Sequence, residues 1–359
     1  MDETATPKPA QGAMPGEHAA SGLDRRLSVA PMMDWTDRHQ RMLMRKLAPN
    51  TLLFTEMVTT GAILHGDAER HLAFDRAEHP LALQLGGSDA DDLARATDIA
   101  QRYGYDEINL NCGCPSDRVK SGRFGACLMA EPDHVAQLVT AMTNSTDRPV
   151  TIKCRIGIDQ CDSGPFLDDF VDAIAETGCH TFYIHARQAW LQGLSPKENR
   201  DVPPLDYDRV RRLKQRRPEL EIILNGGLKT IKAMQSALEP DKALPALDGV
   251  MIGREAYQNP LIMARAERLF FPQAAQADHT LMVADRLASL EDYVIARLAA
   301  GTPLKSITRH MMGLMNGRPG ARAWRRQLSA VPQDDSITWQ DIVAQAAAIE
   351  KGGHRNIAA

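Results

Sequence analysis

Cys114 lies in the run Glu107-Ile-Asn-Leu-Asn-Cys-Gly-Cys-Pro115, which carries more potential chemistry than any other stretch of the chain. The run opens as an apolar/polar alternation of strand type and ends in a Gly/Pro turn. Two carboxamides, Asn109 and Asn111, and a thiol therefore gather where a strand stops. A thiol at the carboxyl end of a parallel strand faces a working cleft more often than a core, although an isolated Gly-Cys-Pro can also be an inert turn. Other strand-like segments end in the same style. They supply Pro31-Met32-Met33, Gln84, Lys153 and Arg155, His185 and Arg187, Asn225-Gly226-Gly227, and Gly253-Arg254. Core packing does not explain polar ends on so many strands.

The last two sets are the most specific. Glycines at Gly226, Gly227 and Gly253 let backbone N–H groups approach oxygen atoms, and the Arg254 guanidinium adds charge; a phosphate site follows. Lys153 at a strand end needs an anionic partner. A reduced flavin ring would provide one, with Gln84 and His185 as hydrogen-bonders to its edge, so the set suggests FMN. Metal chemistry is not expected. Cys112-x-Cys114 lacks zinc-ribbon spacing, the other cysteines (127, 154, 161 and 179) stand singly, and there is no His-Glu-x-x-His. No nucleophilic serine elbow is present, so no acyl-enzyme is expected.

Eight segments read as strands, at residues 28–32, 52–57, 81–86, 107–111, 150–155, 181–186, 221–225 and 249–253. Most are continuous apolar runs, as expected for strands buried on both faces of a parallel sheet. Helical patterns lie between them, at 37–47, 89–103, 132–142, 166–177, 207–216 and 230–238. This alternation predicts a (β/α)8 TIM barrel; an open doubly wound sheet is the alternative, but no Gly-x-Gly-x-x-Gly follows the first strand. Beyond residue 271 the pattern turns helical, at 281–298, 306–315, 322–329 and 337–351. The expected organisation is an extension over 1–24, a cofactor-binding barrel over 25–271 and a small C-terminal helical domain over 272–359.

With 359 residues, 43% hydrophobic and 25% charged, the chain has the composition of an ordinary globular protein, and no apolar run is long enough to span a bilayer. The Ala/Pro/Gly-rich first 22 residues have no signal-peptide core. Six scattered cysteines suggest reduced thiols and a cytoplasmic protein. The net charge of −4 excludes a globally basic nucleic-acid binder. It does not exclude a local one: residues 293–333 hold seven Lys and Arg residues and no Asp or Glu, which favours a surface that meets a polyanion.

Taken together the motifs resemble those of the tRNA-dihydrouridine synthases. The resemblance is carried by Ala30-Pro-Met32, Gln84-Leu-Gly-Gly87, Asn109-Leu-Asn-Cys-Gly-Cys-Pro-Ser116, Gly125-Ala-Cys-Leu128, Lys153-Cys-Arg-Ile-Gly157, Ile184-His-Ala-Arg187, Asn225-Gly-Gly227 and Gly253-Arg-Glu-Ala-Tyr257. It is nearest the A-type enzymes through Thr55-Glu-Met-Val-Thr-Thr-Gly61, Gly193-Leu-Ser-Pro-Lys-Glu-Asn-Arg200, Thr308-Arg-His310 and Gly320-Ala-Arg-x-Trp-Arg-Arg326. The resemblance implies FMN as bound cofactor, NADPH as reductant and tRNA as substrate, with uridines 20 and 20a of the D-loop reduced. It implies Cys114 as proton donor and Pro31, Met32, Met33, Gln84, Lys153, His185, Asn225, Gly226, Gly227, Gly253 and Arg254 as the flavin's ligands. It further implies that Asn111, Lys197, Arg200, Arg322 and Arg325 contact tRNA. Cys112 and Cys154 depart from the family pattern and add two thiols near the expected flavin.

The chemistry of uracil agrees with this assignment. Its C5=C6 bond is conjugated to a carbonyl, so hydride addition at C6 leaves an enolate that an acid must protonate at C5. A thiol of ordinary pKa, about 8.5, stays mostly protonated at neutral pH and can serve. Two rival readings remain: an FMN barrel acting on a small metabolite, and an RNA-binding scaffold without flavin.

Overall fold

A computed structural model describes residues 22–116, 122–273, 282–334 and 336–355. The expected extension lies outside these residues except for its last three. Eight parallel strands form a single sheet: β1 (Leu27–Val29), β2 (Leu53–Thr59), β3 (Leu81–Gly86), β4 (Glu107–Cys112), β5 (Val150–Arg155), β6 (Thr181–His185), β7 (Glu221–Asn225) and β8 (Gly249–Ile252). Their order is β1-β8-β7-β6-β5-β4-β3-β2. Hydrogen bonds from Val29 N to Leu52 O (2.9 Å) and from Leu52 N to Leu27 O (3.1 Å) join the two ends, so the sheet closes. This is the (β/α)8 barrel read from the sequence. Closure removes both sheet edges.

The strands are buried on both faces because helices cover the outside and side chains fill the inside. Ala30, Leu52, Phe54, Ala82, Tyr183, Ile223 and Met251 pack together as a cluster separate from the larger apolar layer between strands and helices. Helix starts follow capping chemistry. Asp37, Asp89, Asp206 and Thr230 accept backbone N–H bonds at the starts of Arg38–Leu47, Ala90–Gln101, Tyr207–Arg216 and Ile231–Ala237.

Several boundaries differ from the sequence reading. β1 stops at Val29 rather than residue 32, since Pro31 has no N–H to continue the ladder. The eighth unit carries helices Arg254–Gln258 and Leu261–Phe270, which the sequence reading did not assign. The helix expected at 281–298 is two, Val283–Ala288 and Glu291–Ala299. Between them Ser289 Oγ donates to Arg286 O (2.8 Å), and the turn delivers Leu290 to the core. The pattern at 306–315 is a short helix, Leu304–Thr308, followed by one 3-10 turn, Arg309–Met311.

Helices Ala321–Ala330 and Trp339–Arg355 complete the C-terminal part. Trp324 is its anchor, fully buried and donating through Nε1 to Met311 O (2.8 Å). Glu350 accepts from Val283 N (2.9 Å) and Ala284 N (3.1 Å), so the last helix caps the first of the group. Trp324, Leu328 and Ile342 belong to the same apolar cluster as the layer around the barrel. No helix among the described residues is long and apolar enough to cross a membrane.

The barrel's floor is ionic. Arg25 bonds Glu107 (2.6 Å) and Glu221 (3.0 Å), and Glu107 is wholly buried. Removing the cation from a buried pair leaves unpaired carboxylates, a loss of about 3–5 kcal/mol. Arg25→Met is therefore expected to lower unfolding stability by about that amount. Urea denaturation of the variant checks it, and an unchanged midpoint would show that the floor is not ionic in solution.

Candidate active site

A cavity of about 590 Å³ opens at the carboxyl ends of the strands, where TIM barrels carry their chemistry. Pro31, Met32, Met33, Gln84, Asn111, Cys114, Lys153, His185, Asn225, Gly226, Gly227, Gly253 and Arg254 all line it, so most of the strand ends singled out above converge, while Asn109 and Arg187 are not part of its wall. Arg155 and Arg200 line it as well. Lys197 is exposed on the neighbouring loop, and Arg322 and Arg325 lie exposed on helix Ala321–Ala330; none of these three is part of the cavity wall.

A continuous hydrogen-bond chain runs from the ionic floor to the thiol loop. Thr151 Oγ1 donates to Glu107 (2.6 Å) and accepts from Asn109 Nδ2 (2.9 Å). Asn109 Oδ1 accepts from Gln84 Nε2 (2.8 Å), and Gln84 Oε1 accepts from Asn111 Nδ2 (2.8 Å). Asn111 Oδ1 then accepts the backbone N–H groups of Gly113 and Cys114, both at 3.0 Å. Each carboxamide is held by a partner on either side, which fixes its orientation. Asn111 thus both lines the cavity and holds the loop that carries Cys114.

Register separates the thiols. Residues 109 and 111 of β4 face the barrel interior, so the period of two turns Cys112 outward. Cys112 is wholly buried in the apolar layer, and burial raises its pKa well above the usual thiol value. Cys154 shares that layer, its pKa pushed up to about 12 by burial. Neither departure from the family pattern puts a thiol in the cavity. Cys114, beyond the turn, is partly exposed there, with Sγ 3.5 Å from Ser116 Oγ.

Cations outnumber carboxylates on the cavity wall, with Lys153, Arg155, Arg200, Lys229 and Arg254 against Asp34 and Glu255. Lys153 Nζ reaches Asn225 Oδ1 (3.1 Å), and burial lowers its pKa to about 8, with Arg155 adding to the shift. His185 is held well below its ordinary value by burial, then by Arg155 and Lys153, so it is neutral. Arg155 donates to Gly113 O (2.9 Å), Gln188 O (3.1 Å) and Asn199 O (2.9 Å). One buried guanidinium thereby ties the thiol loop to the loop bearing Lys197 and Arg200. Its place two residues after Lys153, on the same strand face, was the available signal for this role. Among the described residues neither Lys153 nor Arg155 makes an ion pair. Arg254 does, to Asp201 (2.7 Å).

Gly226 and Gly227 form a cradle that only glycine permits. Both have positive φ, 108° and 68°, and a Cβ on Gly226 would lie 2.5 Å from the His185 ring. Among the described residues no cluster of three or more His, Cys, Asp or Glu could hold a metal ion.

A family model described as "Dihydrouridine synthase (Dus)" matches residues 28–350. The chain belongs to the dihydrouridine synthase family. Relatives named tRNA-dihydrouridine(20/20a) synthase include one from Shewanella oneidensis, 55% identical over 86% of this chain and 90% of its own length. The Xanthomonas campestris relative is 50% identical over 95% of this chain and 98% of its own. The Escherichia coli relative is 52% identical over 88% and 93%. The match therefore takes in the barrel, the cavity and the C-terminal helices together.

The burial pattern predicts thiol reactivity. In the folded protein iodoacetamide is expected to modify Cys114 while Cys112, Cys154 and Cys179 react only after denaturation. Peptide mass mapping reads this directly; native labelling of Cys112 at the rate of Cys114 would contradict the register described.

Proposed function

We propose that this protein reduces the C5–C6 double bond of uridine in the D-loop of tRNA, at positions 20 and 20a, using bound FMN and NADPH. What carries the reading is one cavity that unites a glycine-only cradle, two cations without carboxylate partners among the described residues, and the Cys114 thiol on its wall. Buried cations without counter-charges fit an anionic ligand better than an empty or apolar one.

In this reading Pro31, Met32 and Met33 flank the flavin, and Gln84, Lys153, His185 and Asn225 meet its polar edge. Gly226, Gly227, Gly253 and Arg254 hold its phosphate. Asp201 already grips Arg254, so the phosphate shares or replaces that carboxylate. FMN, when bound and reduced, supplies a hydride to C6 of the uracil. The chain's own part is the proton. Cys114 gives its S–H proton to C5 as the enolate collapses to the saturated ring, and the thiolate left behind recovers a proton from solvent. Asn111 holds the Cys114 loop through two N–H bonds and keeps its second Nδ2 hydrogen for the base. Bringing the uridine out of its stack requires a few kcal/mol. Lys197, Arg200, Arg322 and Arg325 offset this by contacts to RNA phosphates. The barrel over 25–271 then serves as the catalytic unit and residues 272–359 as the tRNA-binding one.

The deciding experiment is Cys114→Ala. It is expected to retain FMN and its reduction by NADPH, yet to lose at least about 100-fold in dihydrouridine formation on an unmodified tRNA transcript, the scale of a lost general acid. Full product formation would remove Cys114 as the acid. Colourless protein that takes up no FMN would favour the RNA-binding scaffold, and turnover of orotate in place of tRNA would favour a metabolite enzyme.

A second expectation follows from Lys153. In the unliganded cavity its charge is lost as pH rises through about 8, whereas a bound anion favours the charged form. FMN binding then takes up a proton above pH 8, and the dissociation constant rises by up to ~10-fold per pH unit there. Fluorescence titration from pH 6.5 upward measures the slope. Lys153→Met should bind weakly and without that slope; an unsloped wild type would detach Lys153 from the anion.

A further inference from the structure

A second cleft lies beside the main cavity, on the other side of the short helix Arg254–Gln258. It has a volume of about 250 Å³ and is lined by Tyr257, Gln258, His310, Met312, Asn316 and Arg325. Gln258 belongs to both walls. The two are also joined by an aromatic run. Trp35, in the main cavity, stacks on Tyr257 at 4.4 Å and 12°, and Tyr257 meets the His310 ring edge-on at 5.7 Å.

The cleft's chemistry is particular. His310 is 1% exposed; its Nε2 bonds Asp37 (3.0 Å), while its buried Nδ1 has no hydrogen-bond partner. At the rim Asn316 Nδ2 donates to Gln258 O (2.6 Å), and its Oδ1 accepts from Arg325 Nη1 (3.1 Å). Asn316 therefore aims an exposed guanidinium that has no carboxylate partner among the described residues. Gly313 lets this segment close on the barrel, because a Cβ there would lie 2.3 Å from Gln258 O. Its His310, Met312, Gly313, Asn316 and Arg325 come from the stretch from 293 to 333, which lacks any acidic residue.

A volume near 250 Å³ is several times the ~30 Å³ share of a water, so neither a single ion nor a lone water fills it. Tyr257 and Met312 offer an apolar surface, and Arg325 a fork for phosphate. A flat heterocycle with a phosphate attached satisfies all of these. We infer that the cleft seats a second nucleotide of the same RNA loop, directly beside the uridine that enters the barrel. The inference rests on the proposed reaction with tRNA. It gives the enzyme a way to splay two adjacent nucleotides to either side of the Arg254–Gln258 helix and so fix which uridine reaches Cys114.

The test uses the flavin-loaded full chain and unmodified tRNA transcripts that are intact, or carry an abasic residue 5′ or 3′ of the target. Met312→Trp fills the cleft, and Asn316→Ala releases Arg325. On the intact transcript each variant is expected to lose ~5–150-fold in kcat/KM, the range of one stacked base. One abasic transcript should lose a similar factor with the unaltered enzyme. On that transcript Met312→Trp should lose no further, since the base contact is already gone, whereas Asn316→Ala should still lose, because an abasic residue keeps its phosphate. The FMN content of each variant, read from its absorbance, reports an intact barrel. A Met312→Trp loss that multiplies with the abasic loss, or full activity on both abasic transcripts, overturns the cleft as a nucleotide seat. Unaltered protein that binds flavin but forms no dihydrouridine on the intact transcript overturns the underlying reaction, and this inference with it.

Discussion

The chain of hydrogen bonds that climbs the barrel's interior is the constraint on which the site depends. It starts at the Arg25–Glu107 pair, passes through Thr151, Asn109, Gln84 and Asn111, and ends on the Gly113 and Cys114 N–H groups. Every side-chain-to-side-chain link is between buried groups, where an unmet donor or acceptor costs about 1–3 kcal/mol. A barrel interior is normally filled by branched apolar side chains. Here a polar column replaces part of that filling. Its effect is to make the position of the thiol loop a property of the floor and of three strands, rather than of a flexible turn.

A second constraint is charge. Lys153, Arg155 and neutral His185 stand together without a carboxylate among them, and burial depresses both cations. Such a grouping is unfavourable by itself and is relieved by an anion. Arg155 differs from Lys153 in its task. Three backbone carbonyls occupy it, so it serves as a clamp between the thiol loop and the loop at 188–200. One strand thus supplies a ligand-facing cation and a loop-facing cation two residues apart.

The C-terminal helices extend the site because they share the barrel's outer apolar layer. Trp324 and Leu328 enter that layer, while Arg322, Arg325 and Arg326 on the same helix stay exposed. One helix thereby fixes its apolar side and presents its basic side beyond the cavity mouth. Among the described residues Arg318 is the exception of the seven cations, being paired with Glu350 (2.5 Å). The acid-free stretch is therefore not uniformly a free basic surface.

The sequence alone determined the eightfold alternation of strand and helix, because apolar runs buried on both faces and aspartate or threonine caps are local signals. It also determined which strand ends carry polar residues, and most of these meet in one cavity, Asn109 and Arg187 excepted. Tertiary structure decided what depends on distant partners. Cys112 read as a second thiol close to the expected flavin, and the hydrogen bonds of Asn109 and Asn111 fix the face of β4 that turns it away. Asn109 and Asn111 read as site residues, yet their carboxamides are committed to Thr151 and Gln84, far away in sequence. Arg155 read as one more polar end, but its carbonyl partners come from three separate places along the chain. The break at Ser289 also escaped notice, because burial of Leu290 outweighed local helical preference. Close approach of remote backbone, unlike periodicity, leaves no regular trace along the chain.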